Sequence, residues 1–268
     1  MSQQQRELPR WLWVGVPVAI LVSVPLARIV DADFHARWFN RKEGPIEWLT
    51  VAVLLVGIAA GVQALRRRRL LPDRRLAVWL LLHVLAAVYI AGEEISWGQT
   101  LFAWDSPELF ERINGQDETN IHNTSSWFNE KPRMAFELWV IWAGIVLPLR
   151  RRRRPEEEGD AAAVRRAWIW PTAICLPTAI AAIVMRVPDR IEKWFGDFEH
   201  PVLADLRLSE PQELLFGYFL MLFLLSFHVR LRAQEAAQPA VCTAPRKQRS
   251  ADAREPEGCL ESTAYRRS

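Results

Sequence analysis

Apolar runs of 16 to 21 residues occur six times along the sequence, and arginines border most of them. The runs cover residues 11–27, 45–65, 76–95, 134–149, 167–185 and 211–229. A helix needs about 20 apolar residues to cross roughly 30 Å of hydrocarbon. The sequence therefore predicts an all-α, polytopic membrane bundle with six transmembrane helices.

The first run follows Arg6 and Arg10, as the apolar part of a secretory signal would. It is long, contains Pro17 and Pro25, and is not followed by a small-x-small cleavage pattern, so we expect a retained first span. We expect residues 1–232 to form the bundle. Residues 233–268 lack apolar periodicity and are predicted to be a disordered cytoplasmic tail.

Arginine placement predicts how the bundle is oriented. Arginines cluster at 66–75, at 150–166 and after residue 229, which all fall on one side of a six-span chain. Positive residues in short loops stay on the cytoplasmic side. We therefore expect both termini to be cytoplasmic and the polar loops 96–133 and 186–209 to lie outside. The same clusters need no nucleic-acid partner to explain them.

Ionisable residues converge on the predicted outer side, where groups at the edge of hydrocarbon suggest a functional site. They are Glu47, Glu93, Glu94, Glu118, His122, Glu137 and Glu213. Glu47 and Glu213 each follow a proline that starts a helix, and a first-turn carboxylate there complements the helix dipole by about 0.3–1 kcal/mol. Those two residues thus have a structural explanation as good as a binding role.

Glu93 and Glu94 lack that explanation, because the last turn of an outward-running helix presents carbonyl oxygens. Something else must stabilise them: water at the interface, a cation such as Arg133, Arg186 or Arg207, a substrate amine, or a metal. Neighbouring helical side chains point about 100° apart, so one carboxylate can face the bundle and the other the loop.

A metal site is the sharpest hypothesis for these acids. Glu94, Glu118 and His122 are the predicted ligands, since carboxylate oxygen and imidazole nitrogen suit a divalent metal such as zinc, manganese or iron. Glu118 and His122 would share one face of either a helix or a strand. The sequence contains no H-E-x-x-H motif.

Amide and aromatic side chains surround the same acids. The predicted binding residues are Glu47, Trp97, Gln99, Asn114, Gln116, Asn120, Asn123, Glu137 and Glu213. The amides could bind a lipid headgroup or a sugar by hydrogen bonds, or could satisfy the backbone of an ordered loop. The tryptophan is equally consistent with an interfacial anchor.

Two motifs, G-E-E-x-S-W-G-Q at 92–99 and N-x-Q-x-E-x-N-x-H-N at 114–123, resemble those of a family of uncharacterised bacterial integral membrane proteins. The resemblance covers about 30 residues. It implies a multi-pass protein of the bacterial inner membrane and implies no reaction.

Three hypotheses about function follow from the residues. The first is a metal-assisted enzyme that acts on a lipid or lipid-linked substrate, with Glu93, Glu94, Glu118 and His122 as catalytic residues. The second is a transporter of a cation or small solute, although the inner halves of the spans are almost wholly apolar. The third is a non-catalytic protein that docks a membrane partner through its outer loop. The sequence indicates no oligomeric state.

Overall fold

A computed structural model describes most of the chain. The described residues are 8–39, 44–107, 119, 126–153, 161–195 and 208–237. Within these ranges the chain is helical apart from short turns and connections, and it contains no strand. The all-α prediction is confirmed for this part of the protein.

Within the described ranges, six helices are long and apolar enough to cross a membrane, which agrees with the predicted number of spans. They cover Trp11–Val30, Pro45–Arg66, Arg74–Glu94, Lys131–Arg151, Ala163–Met185 and Ser209–Ala237. The chain is therefore a multi-pass integral membrane protein. We number the helices in chain order: α1 is Trp11–Val30, α3 is Pro45–Arg66, α4 is Arg74–Glu94 and α10 is Ser209–Ala237.

The remaining helices are shorter or interrupted. α2 is Ala32–Phe39 and α5 is Gln99–Phe102. α6 runs without a break through Ser126–Trp139, a π-helical segment Val140–Val146, and Leu147–Arg153. The fifth span consists of α7, Ala161–Ile169, and α8, Leu176–Met185, separated by a 3-10 turn at Ala173–Cys175. α9 is Val187–Phe195.

The predicted outer loops are thus partly helical. The loop 96–133 contains α5 and the beginning of α6, while the loop 186–209 contains α9. α10 continues to Ala237, beyond the boundary expected at residue 232. Residues 238–268, the rest of the predicted tail, lie outside the described residues.

α10 occupies the centre of the bundle, and most of its side chains are buried. Phe219, Phe223 and Phe227 recur every four residues and are fully buried, so they form one stripe along the helix. By contrast, α1 exposes Val18, Val22 and other apolar side chains. Exposed apolar rows of this kind suit contact with lipid rather than water.

Glycine allows α3 to approach α10 and α4 closely. A Cβ added at Gly57 would lie 3.0 Å from the Cα of Met221 in α10, and one at Gly61 would lie 2.4 Å from Val84 Cγ2 in α4. Small residues four apart are the usual means by which membrane helices come into backbone contact. These two positions therefore fix how α3 packs.

The middle of the bundle contains a polar group enclosed by aromatic rings. The imidazole of His83 lies 4.4 Å from the ring of Trp79, 5.0 Å from that of Trp139 and 4.8 Å from that of Phe223, measured between centroids. Its Nδ1 lies 2.8 Å from the backbone oxygen of Trp79, which accepts the hydrogen bond. His83 is therefore a packed histidine, as the apolar sequence around it suggests.

Arginines line one end of the bundle, which we call the arginine end. Arg67 pairs with Glu235 of α10 at 2.8 Å, and Arg165 pairs with Asp73 at 3.4 Å. Arg230 donates to the backbone oxygen of Ala167 at 2.9 Å and lies 4.1 Å above the ring of Trp168. These contacts join the ends of α3, α4, α7 and α10.

Substituting alanine at Gly57 or Gly61 should destabilise the bundle. The added methyl group would overlap the backbone of α10 or the side chain of Val84, at a cost of roughly 1–3 kcal/mol for overpacking. We expect a lower thermal unfolding temperature in detergent for both variants. Gly217→Ala is the control, because its Cβ would make only ordinary contacts, at 3.4 Å. Equal stability of all three variants would contradict the packing.

Candidate functional site

The end of the bundle opposite the arginine end carries a cluster of carboxylates, and we call it the acidic end. Glu94 is the last residue of α4 and is partly buried. Glu213 and Glu210 of α10, Glu47 of α3 and Arg133 of α6 all lie within electrostatic range of it. The structure therefore brings together carboxylates that are distant in sequence, as the alternating direction of the spans predicts.

Arg133 connects α6 to α10 at this end. Its Nη1 lies 2.8 Å from Glu213 Oε1, and its Nη2 donates to Gln212 Oε1 at 2.9 Å. Gln212 is 1% exposed, and its amide nitrogen donates to the backbone oxygen of Ala182 in α8 at 3.2 Å. One arginine and one glutamine thus tie three spans together next to Glu94.

Further arginines extend the network toward α9. Arg190 forms an ion pair with Glu137 of α6, and Arg186 pairs with Asp189 at 3.1 Å. Burial is the main cause that lowers the pKa of Arg186, and the charge of Arg133 acts in the same direction. Asp189 and Glu213 oppose this effect. The carboxylates of Asp189 and Glu213 therefore stabilise the protonated, positively charged form of Arg186.

Glu137, a predicted binding residue, thus lies in a salt bridge between α6 and α9. Glu213 lies in one between α6 and α10. Among the described residues around Glu94, the carboxylates outnumber the cations, which are Lys131, Arg133, Arg186 and Arg190. An excess of negative charge favours protonation of a carboxyl group or the approach of a cationic group.

Glu93 and Glu94 have different surroundings, as their 100° separation predicts. Glu93 is 7% exposed, and its Oε1 accepts a hydrogen bond from Trp97 Nε1 at 2.6 Å. The indole ring lies against Gly92, where a Cβ would come within 2.9 Å of Trp97 Cε3. Glycine, glutamate and tryptophan of the first motif therefore form one local unit. Glu94 instead faces the other carboxylates.

The backbone of this unit is strained. Ser96, Trp97 and Gly98 have φ angles of 47°, 55° and 101°, so three successive residues adopt left-handed conformations. A non-glycine residue in this region costs on the order of 1–2 kcal/mol, and such strain is commonly found at functional sites. The bond from Trp97 to Glu93 helps to hold the turn. A Cβ at Gly98 would lie 2.8 Å from the Trp104 ring, so only glycine fits there.

Gln99 connects the two sequence motifs. Its Oε1 accepts a hydrogen bond from the backbone N–H of Thr119 at 2.6 Å, and its Nε2 donates to Ser106 Oγ at 3.1 Å. Thr119 belongs to the second motif, between Glu118 and Asn120. The sequence identifies Gln99 as a polar residue of interest, but it does not show that a backbone amide 20 residues away is its partner.

Six predicted site residues lie outside the described residues. They are Asn114, Gln116, Glu118, Asn120, His122 and Asn123. The predicted metal site depends on two of them, Glu118 and His122. Within the described ranges, no group of three histidine, cysteine, aspartate or glutamate residues could hold a metal ion. The metal site therefore stays a prediction, as do the roles assigned to the six residues.

Comparison of the chain with protein-family models, curated proteins and solved structures finds no match. The resemblance of its two motifs to bacterial membrane proteins stays a prediction. The chemistry of the acidic end has to be argued from its own residues.

Removing the Gln99 amide should loosen the segment that it holds. Gln99→Leu loses two hydrogen bonds, each with a net value of about 0.5–1.5 kcal/mol. We expect protease cleavage between residues 100 and 130 to become roughly fivefold faster or more in detergent, since local opening becomes easier. Cleavage is measured by gel electrophoresis and mass spectrometry.

Gln99→Glu is the matched control, because a carboxylate still accepts from the Thr119 N–H and can accept from the Ser106 hydroxyl. Its cleavage rate should stay close to that of the original protein. If leucine and glutamate gave the same rate, the bonds of Gln99 would not hold this segment.

Proposed function

We propose that the protein is a membrane enzyme that acts on a lipid or lipid-linked substrate at the acidic end, with Glu94 as its general acid or base. The observation that carries the proposal is the position of Glu94. It ends a membrane span, is partly buried, and lies within electrostatic range of three carboxylates and one arginine. Carboxyl groups in unlike surroundings within one site can divide the roles of acid and base.

The contacts around Glu94 support a different role for each of the neighbouring side chains. Arg133 is fixed by Glu213 and Gln212, so it can orient an anionic part of a substrate or stabilise charge that develops beside Glu94. Glu93 supports the strained turn through Trp97 and is a positioning residue in this proposal. Trp97 is 43% exposed, so its ring can also contact a substrate.

The second motif supplies the remaining groups. Gln99, five residues after Glu94, accepts a hydrogen bond from the backbone N–H of Thr119 in the second motif. This contact supports a position of the second motif at the same end as Glu94. We propose Glu118 and His122 as partners of Glu94, either as acid–base groups or as ligands of a divalent metal such as zinc, manganese or iron. Oxygen and imidazole donors are the types that these metals accept.

We also propose that the acidic end faces the outside of a bacterial inner membrane and that both termini are cytoplasmic. The support is the arginine end, where Arg67, Arg165 and Arg230 lie at the ends of spans. Positive residues of short loops are retained on the cytoplasmic side. A lipid substrate would then be approached from the outer leaflet.

Orientation is tested with cysteine accessibility in intact cells. Thr100→Cys at the acidic end should react with a membrane-impermeant maleimide, whereas Arg68→Cys at the arginine end should react only after the cells are broken. Both are introduced into a chain in which Cys175, Cys242 and Cys259 are replaced by alanine. Labelling of Arg68→Cys alone in intact cells would reverse the proposed orientation.

The role of Glu94 is tested by substitution with glutamine, which keeps the shape and removes the ionisable group. Purified protein is incubated with vesicles of phosphatidylglycerol and phosphatidylethanolamine, products are identified by mass spectrometry, and metal content is measured by elemental analysis. We expect Glu94→Gln to lower turnover by at least about 100-fold, as is typical for loss of a general acid or base. If a metal is bound, Glu94→Gln and His122→Ala should both lose it.

Glu235→Gln is the control, since Glu235 lies at the arginine end and pairs with Arg67. Its turnover and metal content should match those of the original protein. Unchanged turnover and metal content in Glu94→Gln would exclude the proposed chemistry. The acidic end would then be assigned to transport or to docking of a membrane partner.

A further inference from the structure

The chain turns between α1 and α2 at Asp31, and we call the region from Arg28 to Phe39 the corner. Asp31 ends α1, and its backbone N–H donates to the oxygen of Ala27 at 2.9 Å. Its Oδ1 accepts from the N–H of Phe34 at 2.9 Å, and its backbone oxygen accepts from the N–H of His35 at 3.0 Å. One residue therefore ends the span and begins the short helix.

α2 is amphipathic. Phe34 is 40% exposed and Trp38 is 47% exposed, and their rings stack with centroids 5.5 Å apart. On the other face, His35 is 1% exposed and stacks on Phe39 at 5.4 Å. A short helix with aromatic residues on one side, beside the end of a span, is typical of the membrane interface.

Two buried nitrogen atoms in this corner have no hydrogen-bond partner: Arg28 Nε in the last turn of α1 and His35 Nε2 in α2. The side chains are close enough for the charge of Arg28 to act on His35. Burial, and secondly this charge, lower the pKa of His35. An unsatisfied buried donor or acceptor costs about 1–3 kcal/mol, so a ligand that bonds to both nitrogens would be stabilised there.

We propose that Arg28 and His35 bind the phosphate group of a phospholipid. A guanidinium group matches a phosphate geometrically, and an imidazole N–H can donate to a second phosphate oxygen. The corner lies at the end of a span beneath an interfacial helix, which is the depth at which lipid phosphates are found. Basic pockets beside membrane helices bind lipid headgroups in this way.

Among the described charged groups near the corner, those on α2 and at its start have other surroundings. Asp31 is engaged by the N–H of Phe34, while Asp33 and Arg37 of α2 are exposed. The phosphate site lies at the same end of the bundle as Glu94 but shares no residue with the carboxylate cluster around it, and it does not depend on catalysis by Glu94. The same chemistry could take a free phosphate ion, so the experiment has to distinguish the two sources.

The test measures lipid retention by native mass spectrometry of the full chain, purified in a detergent without phosphate. The probes are phosphatidylglycerol, diacylglycerol with the same acyl chains, and inorganic phosphate. We expect phosphatidylglycerol to be retained and diacylglycerol to be lost. Millimolar inorganic phosphate should displace little phosphatidylglycerol, because the acyl chains add to the affinity of the lipid. If inorganic phosphate bound and phosphatidylglycerol did not, the phosphate site would be supported and its ligand would be the free ion.

Three variants locate the binding. Arg28→Met keeps the aliphatic part of the side chain, and His35→Phe keeps an aromatic ring against Phe39, but each removes the nitrogen in question. Each should weaken retention of phosphatidylglycerol by roughly tenfold or more, the effect of losing one charge-assisted hydrogen bond. Arg37→Met is the control, since it removes the same charge from the exposed face of α2.

Thermal unfolding separates binding from folding. Without lipid, His35→Phe should unfold at the same or a higher temperature than the original protein, because it removes an unsatisfied buried nitrogen. Phosphatidylglycerol should raise the unfolding temperature of the original protein and of Arg37→Met, but not that of His35→Phe. Equal retention and equal thermal response in all variants would overturn the proposal.

Discussion

The enclosure of α10 by the other spans is the constraint on which the bundle depends. In a bilayer, lipid tails are as apolar as the side chains, so helices associate through close packing and through polar contacts at their ends. Both are present here. Gly57 lies against the backbone of α10 and Gly61 against side chains of α4 and α10, while Arg133, Gln212 and Glu213 join α6, α8 and α10 at the acidic end. Without that enclosure, Glu94 would have no carboxylates from α3 and α10 beside it.

Hydropathy is sufficient to predict the spans, because a length near 20 residues and a lack of charge are properties of the sequence alone. It places the ends less well. α10 continues to Ala237, and Glu235 near its end pairs with Arg67, a contact between residues far apart in the chain. The same reasoning predicts that Glu47, Glu94 and Glu213 meet, since successive spans run in opposite directions.

Specific partners are harder to predict from the sequence. Arg133, Arg186 and Arg207 are equally plausible partners in the sequence; Arg207 lies outside the described residues, and the packing of α6 places Arg133 within electrostatic range of Glu94. The bond between Gln99 and the backbone of Thr119 leaves no trace in residue types, because every non-proline residue has an N–H group. The left-handed turn at Ser96 and Trp97 is likewise hidden, since neither residue favours that conformation. Glycine at position 98 is its only local signal.

The π-helical segment Val140–Val146 in α6 has a consequence for the acidic end. A π segment accommodates an additional residue in a helix, and each residue turns a helix by about 100°. Arg133 and Glu137 precede the segment, whereas Ala143 and Gly144 within it are packed in the core. Loss of a single residue from this segment would leave a regular helix of good length, yet it would rotate Arg133 and Glu137 away from their partners. The angular register of the charges thus depends on the π-helical geometry in the apolar middle of the span.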